Sequence, residues 1–591
     1  MEYYLRYIEA SDDDNCTCQI RCAARCESRK HVRHLLECAL PPLDENSNTP
    51  FADYEGRRDK MFFSRKKIQA YFGNSTVINN LLGCRCHPCK QARERTSALD
   101  EEERPGIIES SQDGKILFAL MIYLKKFHFV YAWFASSYRE TDLSHAIFQL
   151  HRHGTFNSFM ASEKERRLFK EACDQALEML NPVQLSFSVS EAPREYADSQ
   201  RFPFHAVDRI SGGNFGTLKK FEIVEEYRDP SLEPVFAMKS VKIPDRDRLA
   251  LAEQEMLRMV SNIDNPAAEN IVTLLTCYTW RNEMHFVFPY IETDLYRLLR
   301  QEPVNDASPW FNNQALPENS LWKEMVGIAS ALSVIHTGLR NPFKRVHGGG
   351  RVFACHFDLK PANILVTADG KLKIGDFGRS HIQIVDPQGV LEIEYRGGDP
   401  KYAAPESQNE MQQINEGHGP HLDGGAPALK YDVWSLACIM TEVLIYLLNR
   451  QTPGETPADN PLLRFDRSLA QAEFNGRFFD QQGVKESVTT TIEAFQERFS
   501  TDSPASQYMS KIVDLLSGMF RYHNHERISS QEVVVQLHDA ETAYKDSRDT
   551  DKLAFEVRQH SAPADDDFRE IGWVPALQGD GNREPVSFDK M

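Results

Sequence analysis

Residues 356–378 read HFDLKPANILVTADGKLKIGDFG, and no other stretch constrains this chain so tightly. Asp358 and Asn363 stand five residues apart in a D-L-K-P-x-N loop, Lys360 lies between them, and Asp376 opens an Asp-Phe-Gly. These side chains, in this order, suit phosphoryl transfer from a magnesium nucleotide. A hydroxyl acceptor needs a carboxylate that orients it and takes its proton, a role that fits Asp358. Mg²⁺ is a hard cation that takes oxygen ligands, and Asn363 and Asp376 can supply them. Lys360 can offset charge on the moving group. A lone D-F-G is common by chance; the whole string at this spacing is not.

Companion segments appear in a consistent order on both sides. Residues 210–218, ISGGNFGTL, are glycine-rich: Gly213 and Gly216 match the last two glycines of G-x-G-x-x-G, and Ser211 stands first unless Gly212 serves instead. Glycine suits such a loop because backbone N–H groups must approach phosphates with no Cβ in the way. VFAMKSV (235–241) alternates as a strand and carries Ala237 and Lys239. The helical stretch from about Asp247 to Val260 offers Glu253 and Glu255 as a partner for that lysine. Glu255 is preferred, because Met259 four residues on would face the core. HFVFPYIETDLYRLL (285–299) runs from an apolar strand into a polar helix start.

Taken together, these segments resemble eukaryotic protein kinases over about residues 204–540, and KYAAPE (401–406), DVWSLAC (432–438) and RYHNHERIS (521–529) extend the likeness. The resemblance implies an α+β, two-lobed fold: a small antiparallel β lobe plus a helix, and a large, mainly α-helical lobe. It implies ATP and Mg²⁺ as cofactors and a protein as substrate. Ser211, Gly212, Gly213 and Gly216 would cover the phosphates, with Phe215 at the tip. Lys239 would hold the α- and β-phosphates and Glu255 would position it. Phe288 would be the gatekeeper, with Pro289, Tyr290 and Ile291 bonding adenine and Leu218, Ala237 and Leu365 sandwiching the ring. Asp358 and Lys360 would carry the transfer, and Asn363 and Asp376 the metals. Asp432 would tie the catalytic loop, and Arg527 would pair with Glu406. Lys360 points to the Ser/Thr type, since tyrosine kinases usually carry Ala or Arg there. The FPFHAVDRISGGNFG segment and the Cys-bearing N-terminal region also resemble kinase-domain proteins of filamentous fungi.

Three positions depart from the family pattern. Phe357 replaces the Arg that normally receives a phosphate on the activation segment. That segment, between Gly378 and Ala404, has no Thr, and its hydroxyls are Ser380, Tyr395 and Tyr402. Activity is therefore expected not to depend on activation-segment phosphorylation. Asp399 replaces a Thr, adding negative charge near Asp358, and Ser211 replaces the first glycine. No catalytic or metal-holding group is missing, so an active protein Ser/Thr kinase is expected. The alternatives are a nucleotide-binding pseudokinase scaffold, or a kinase serving an N-terminal adaptor.

The net charge of −18 over 591 residues argues against a nucleic-acid binder driven by bulk charge. No secretory signal is visible in MEYYLRYIEASDDD, which points to a cytoplasmic or nuclear protein. The most apolar stretch, 116–135, carries Lys125, Lys126 and His128 at its middle; it is expected to be a buried helix or helix pair rather than a transmembrane segment. Residues 1–100 form a Cys-rich, partly basic segment. There Cys84, Cys86 and Cys89, with a fourth ligand from the Cys16–Cys38 group, could hold a structural Zn²⁺, although the spacings match no standard pair of pairs. Residues 101–200 are expected to be a helical accessory region and linker, with 181–200 as the linker. Residues 541–591 are an acidic tail, disordered by composition.

Overall fold

The computed structural model describes residues 65–73, 75–83, 87–95, 108, 112–124, 129–134, 160, 162–180, 182–188, 193–213, 216–243, 248–300, 315–341, 350–385, 393–394, 397–408, 421–422, 426–448, 460–471, 474, 476–499 and 503–550. The chain divides into two compact units. One is Met1–Lys242 with Leu275–Pro289, and the other is Ile243–Leu274 with Tyr290–Met591.

The first unit holds the helices α1 (Arg65–Tyr71), α2 (Ser75–Leu82), α3 (His87–Arg95), α4 (Gln112–Tyr123), α5 (Val130–Phe134) and α6 (Glu163–Leu180). Apolar side chains pack them together in pairs. Phe72 of the α1 turn meets Phe118 of α4 edge-on at 5.1 Å, and Phe129 meets Phe169 of α6 at 4.9 Å. Tyr131 donates its hydroxyl to the Leu82 carbonyl at 2.9 Å. The accessory helices therefore pack across residue 100, where the sequence suggested a boundary. The apolar stretch 116–135 does form a buried helix pair, since Ile116–Ile122 of α4 and Val130, Tyr131 and Trp133 of α5 are all buried. Cys16 to Cys38, Cys84 and Cys86 lie outside the described residues. Cys89 is buried in α3, and no three His, Cys, Asp or Glu side chains converge on a metal-sized site among the described residues.

The same unit carries a six-stranded sheet of β1 (Arg194–Glu195), β2 (Phe204–Gly213), β3 (Gly216–Ile223), β4 (Val235–Lys242), β5 (Thr276–Trp280) and β6 (Glu283–Pro289), in the order β1-β5-β6-β4-β3-β2. Only β1 runs parallel to its neighbour. Strand β4 alternates half-buried and buried residues, as a sheet with one packed face requires. Phe221, Phe236, Met238, Tyr278 and Val287 fill that face. The 181–200 stretch is more than a connection: Phe187 stacks on Phe236 at 5.4 Å, and Arg194–Glu195 add the edge strand.

The second unit is mainly helical. It comprises α7 (Arg248–Ser261), β7 (Thr293–Asp294), α8 (Leu295–Arg300), α9 (Ser320–Thr337), β8 (Arg351–Cys355), β9 (Ile364–Val366), β10 (Leu372–Ile374), β11 (His381–Val385), β12 (Ile393–Glu394), β13 (His421–Leu422), α10 (Ala426–Leu448), α11 (Pro461–Ala470), α12 (Glu486–Glu497), α13 (Pro504–Met519) and α14 (Ser530–Thr550), besides a short hairpin near residue 480. Asn319 caps α9 by accepting the Trp322 N–H, and the Trp322 indole donates to the Tyr508 hydroxyl of α13 at 2.7 Å. Within α10, Leu429–Leu448 is long and apolar enough to span a membrane by length and composition; 94% of its most apolar stretch is buried, as in a core helix. Helix α14 continues to Thr550, ten residues into the stretch taken from composition as tail. Residues 551–591 lie outside the described residues.

Candidate active site

The catalytic loop is built on a buried carboxylate. Asp432, near the start of α10, accepts the backbone N–H of His356 at 2.6 Å and of Phe357 at 2.8 Å. It also takes His336 Nε2 at 3.0 Å and the Cys355 thiol at 3.1 Å. Burial alone would raise this carboxyl. The hydrogen bonds and charge of His336, with help from His356, outweigh burial and hold it below the ordinary range. The tie bends the loop: Phe357 sits at φ +64°, left-handed backbone that a non-glycine residue keeps only under constraint.

The bend presents Asp358. Its Oδ2 accepts Lys360 Nζ at 3.0 Å and Asn363 Nδ2 at 3.1 Å, and its Oδ1 accepts the Asp399 backbone N–H at 2.9 Å. Its own N–H donates to His356 Nδ1 at 3.3 Å, and His356 Nε2 donates in turn to the Gly375 carbonyl at 3.0 Å. Imidazole therefore links the loop to the residue before Asp376. Gly375 N–H also donates to the Asn363 carbonyl at 2.8 Å. Asn363 spends its amide nitrogen on Asp358, so only its amide oxygen could serve a cation, and Asp376 is exposed at φ +54°. An amide oxygen and a carboxylate on tethered backbones fit a hard divalent cation such as Mg²⁺.

The activation segment approaches closely because it carries glycine. A Cβ on Gly398 would lie near the Phe357 carbonyl oxygen, well inside contact distance. Asp399 sits beside Asp358 through its own N–H, and its Oδ1 accepts the Lys401 N–H at 3.0 Å, closing a turn. Phe357 is buried edge-on against Tyr431 at 5.3 Å. Glu406 and Arg527 pair at 2.9 and 3.0 Å, as expected, and Arg527 also lies over the Trp434 ring at 5.2 Å.

The nucleotide residues expected on the sheet share one of its faces. Register pairs Ser211 with Leu218, Gly213 with Gly216, Leu218 with Lys239, and Ala237 with Phe288. Opposed residues and those two apart point the same way, so Ser211, Gly213, Gly216, Leu218, Ala237, Lys239 and Phe288 lie opposite the packed face. Gly212 falls between them in β2. Gly216 has φ +117°, and a Cβ there would come within 2.5 Å of the Ser240 carbonyl oxygen. Asn214 and Phe215 lie outside the described residues. In the second unit, Leu365 of β9 pairs with Asp294 of β7, shortly after Tyr290 and Ile291.

Helix α7 separates its two glutamates. Glu253 is 5% exposed and shares the buried face with Met256, Leu257 and Val260, whereas half-buried Glu255 is gripped by Arg258 at 2.7 Å. Met259 is buried, as the sequence suggested, but burial extends around the helix to Glu253 as well. Sequence reasoning missed His356 as a link, Gly398, and the ion network of Arg300, Lys401, Glu442 and Asp466. That network joins residues up to 166 apart, which no local pattern signals.

The sequence pattern of the protein kinase domain matches residues 204–537. Relatives include the cell division control protein 2 homolog 3 of Trypanosoma brucei brucei, 26% identical over 56% of this chain and 89% of that protein. The cyclin-dependent kinase-like 4 of Mus musculus is 24% identical over 60% of this chain and 86% of its own length. The mitogen-activated protein kinase HOG1 of Cryphonectria parasitica is 30% identical over 42% of this chain and 58% of its own.

Proposed function

This chain belongs to the protein kinase family, and we propose that it is a working Ser/Thr kinase that transfers the γ-phosphoryl group of ATP to protein hydroxyls. The observation that carries the reading is Asp358, whose two oxygens are held by Lys360, Asn363 and the Asp399 N–H. Held in this way, the carboxylate orients an incoming hydroxyl and takes its proton as the phosphoryl group leaves ATP. Lys360 lies beside it and offsets charge on the group in flight. Mg²⁺, when bound, neutralises the phosphates, and Asn363 and Asp376 are the residues that would hold it. Lys239 and the glycine pair Gly213–Gly216 are assigned to the phosphates. Of the two carboxylates that α7 offers for the positioning role, Glu253 is favoured over Glu255, because it is the buried one and Glu255 is paired with Arg258.

Activity is assigned as independent of activation-segment phosphorylation. Phe357 offers no charge to a phosphate and is packed on Tyr431. Ser380 is buried, and its hydroxyl donates to the Phe377 carbonyl at 2.6 Å. The segment is held instead by β12, which pairs with β13 of the insert after the A-P-E. Tyr395 lies outside the described residues.

The test is phosphoryl transfer from Mg-ATP by the purified chain, onto itself and onto a degenerate Ser/Thr peptide library, beside Asp358→Asn. Incorporation on Ser or Thr that the variant abolishes supports the reading. ATP binding with no transfer above the variant would leave a nucleotide-binding scaffold instead.

A further inference from the structure

A groove of about 560 Å³ opens beside the catalytic loop in the second unit. Its walls are Lys360, Pro361 and Ala362 of the loop, Tyr296 of α8, and Lys401 and Asp466 on the far side. Lys360 bonds to Asp358, so a chain delivering a hydroxyl to Asp358 passes this groove.

Its polar floor is already neutral. Glu442 of α10 is fully buried and Asp466 of α11 is 29% exposed. Arg300, 2% exposed, bonds to Glu442 at 2.6 Å and to Asp466 at 3.1 Å. Lys401, 20% exposed, bonds to Glu442 at 2.6 Å and to Asp466 at 2.5 Å, and the Tyr402 hydroxyl donates to Glu442. Two cations thus match two carboxylates. Arg300 is sealed in, but Lys401 reaches the pair from the groove. Its ammonium sits where a basic side chain of a bound peptide would otherwise make charge-assisted hydrogen bonds. The remaining lining joins apolar surface (the Tyr296 ring, Pro361, Ala362 and Ala470) to Asp399, whose Oδ1 accepts the Lys401 N–H.

We propose that Lys401 is a specificity determinant of this kinase: it occupies the carboxylate pair from within the protein, so that the groove takes an uncharged, apolar side chain of the substrate and rejects lysine and arginine there. This rests on the kinase reading above. Specificity here works by exclusion, because an arginine entering the groove meets the Lys401 ammonium and finds Glu442 and Asp466 already paired.

The test scans peptides around a fixed Ser acceptor, comparing Leu with Arg at each neighbouring position, with the full chain. The wild type is expected to favour Leu at the position that reaches the groove. Lys401→Ala leaves one carboxylate unmatched, so the Arg-to-Leu ratio of kcat/KM at that position rises by about tenfold or more. Lys401→Arg keeps the wild-type ratio, and Lys401→Ala with Asp466→Asn loses the gain. A ratio that Lys401→Ala leaves within twofold, or a wild type that prefers Arg at every position, overturns the proposal while the kinase reading stands. Transfer to no peptide by the wild type overturns both. The ratio is read within one variant, so a general loss of stability or rate cancels.

Discussion

Replacing Asp432 with Asn tests how the catalytic loop is held. The carboxylate accepts from His356 N, Phe357 N, His336 Nε2 and Cys355 Sγ. An amide of the same shape has one accepting oxygen and turns an NH₂ toward groups that are themselves donors. If its oxygen stays with His356, the Phe357 N–H is orphaned; if it turns to Phe357, His356 and His336 lose their acceptor. An orphaned buried donor costs roughly 1–3 kcal/mol, and the lost charge weakens what remains, so about 2–4 kcal/mol is expected in all. Amide hydrogen exchange at His356 and Phe357 reads this locally, and protection there should fall roughly 30-fold or more. The Phe357 backbone, no longer held at φ +64°, relaxes and displaces Asp358, so turnover should fall by at least tenfold. The variant also predicts a pH dependence. The folded Asp432 carboxyl lies below its ordinary value of 3.8, so its stabilisation is complete above that value and is lost as pH falls through the lower, folded one. Asn does not titrate. The gap in thermal midpoint between wild type and Asp432→Asn should be constant near neutrality and narrow in acid. Protection changed by less than threefold, or a gap that widens in acid, would refute the tie.

Four further outcomes follow from the geometry. Arg527→Met removes one partner of a buried ion pair from Glu406 and should lower stability by about 3–5 kcal/mol, read as a fall in the thermal midpoint. Glu253→Gln should cut ATP turnover by roughly tenfold or more while Glu255→Gln stays within about threefold, and the reverse order would give the positioning role to Glu255. Gly398→Ala forces the activation segment away from the Phe357 carbonyl and should reduce kcat by about tenfold at near-normal ATP KM. Ser380→Ala with Tyr395→Phe forfeits one buried hydrogen bond worth about 1 kcal/mol and should leave turnover nearly intact; a tenfold loss would return the segment to phosphorylation control.

The legible parts of this protein are those in which chemistry and chain order coincide. The D-L-K-P-x-N loop and the D-F-G lie within 23 residues, so the positions of Asp358, Asn363 and Asp376 are local facts of the chain. Strand alternation in VFAMKSV likewise put Ala237 and Lys239 on one face before any partner strand was known, because the pleat has a period of two. The choice between Glu253 and Glu255 was harder. Both lie on a helix with more than one buried edge, and Arg258 pairs with Glu255 only through a side-chain geometry that spacing does not dictate. Asp399 suggested a carboxylate near Asp358; that one of its oxygens accepts the Lys401 N–H is a turn that forms only where the activation segment meets the loop.

By itself, then, the sequence determined the family and the chain positions of the candidate groups, because those depend on residue type and short spacing. Only the tertiary structure decided what each group faces. Asp432 reaches the loop from 75 and 76 residues away, and Lys401 meets Glu442 and Asp466 across 41 and 65. Ion pairs and hydrogen bonds between such distant segments exist only after apolar burial has brought the helices together, and a one-dimensional pattern carries no record of which distant side chain will fill a given groove.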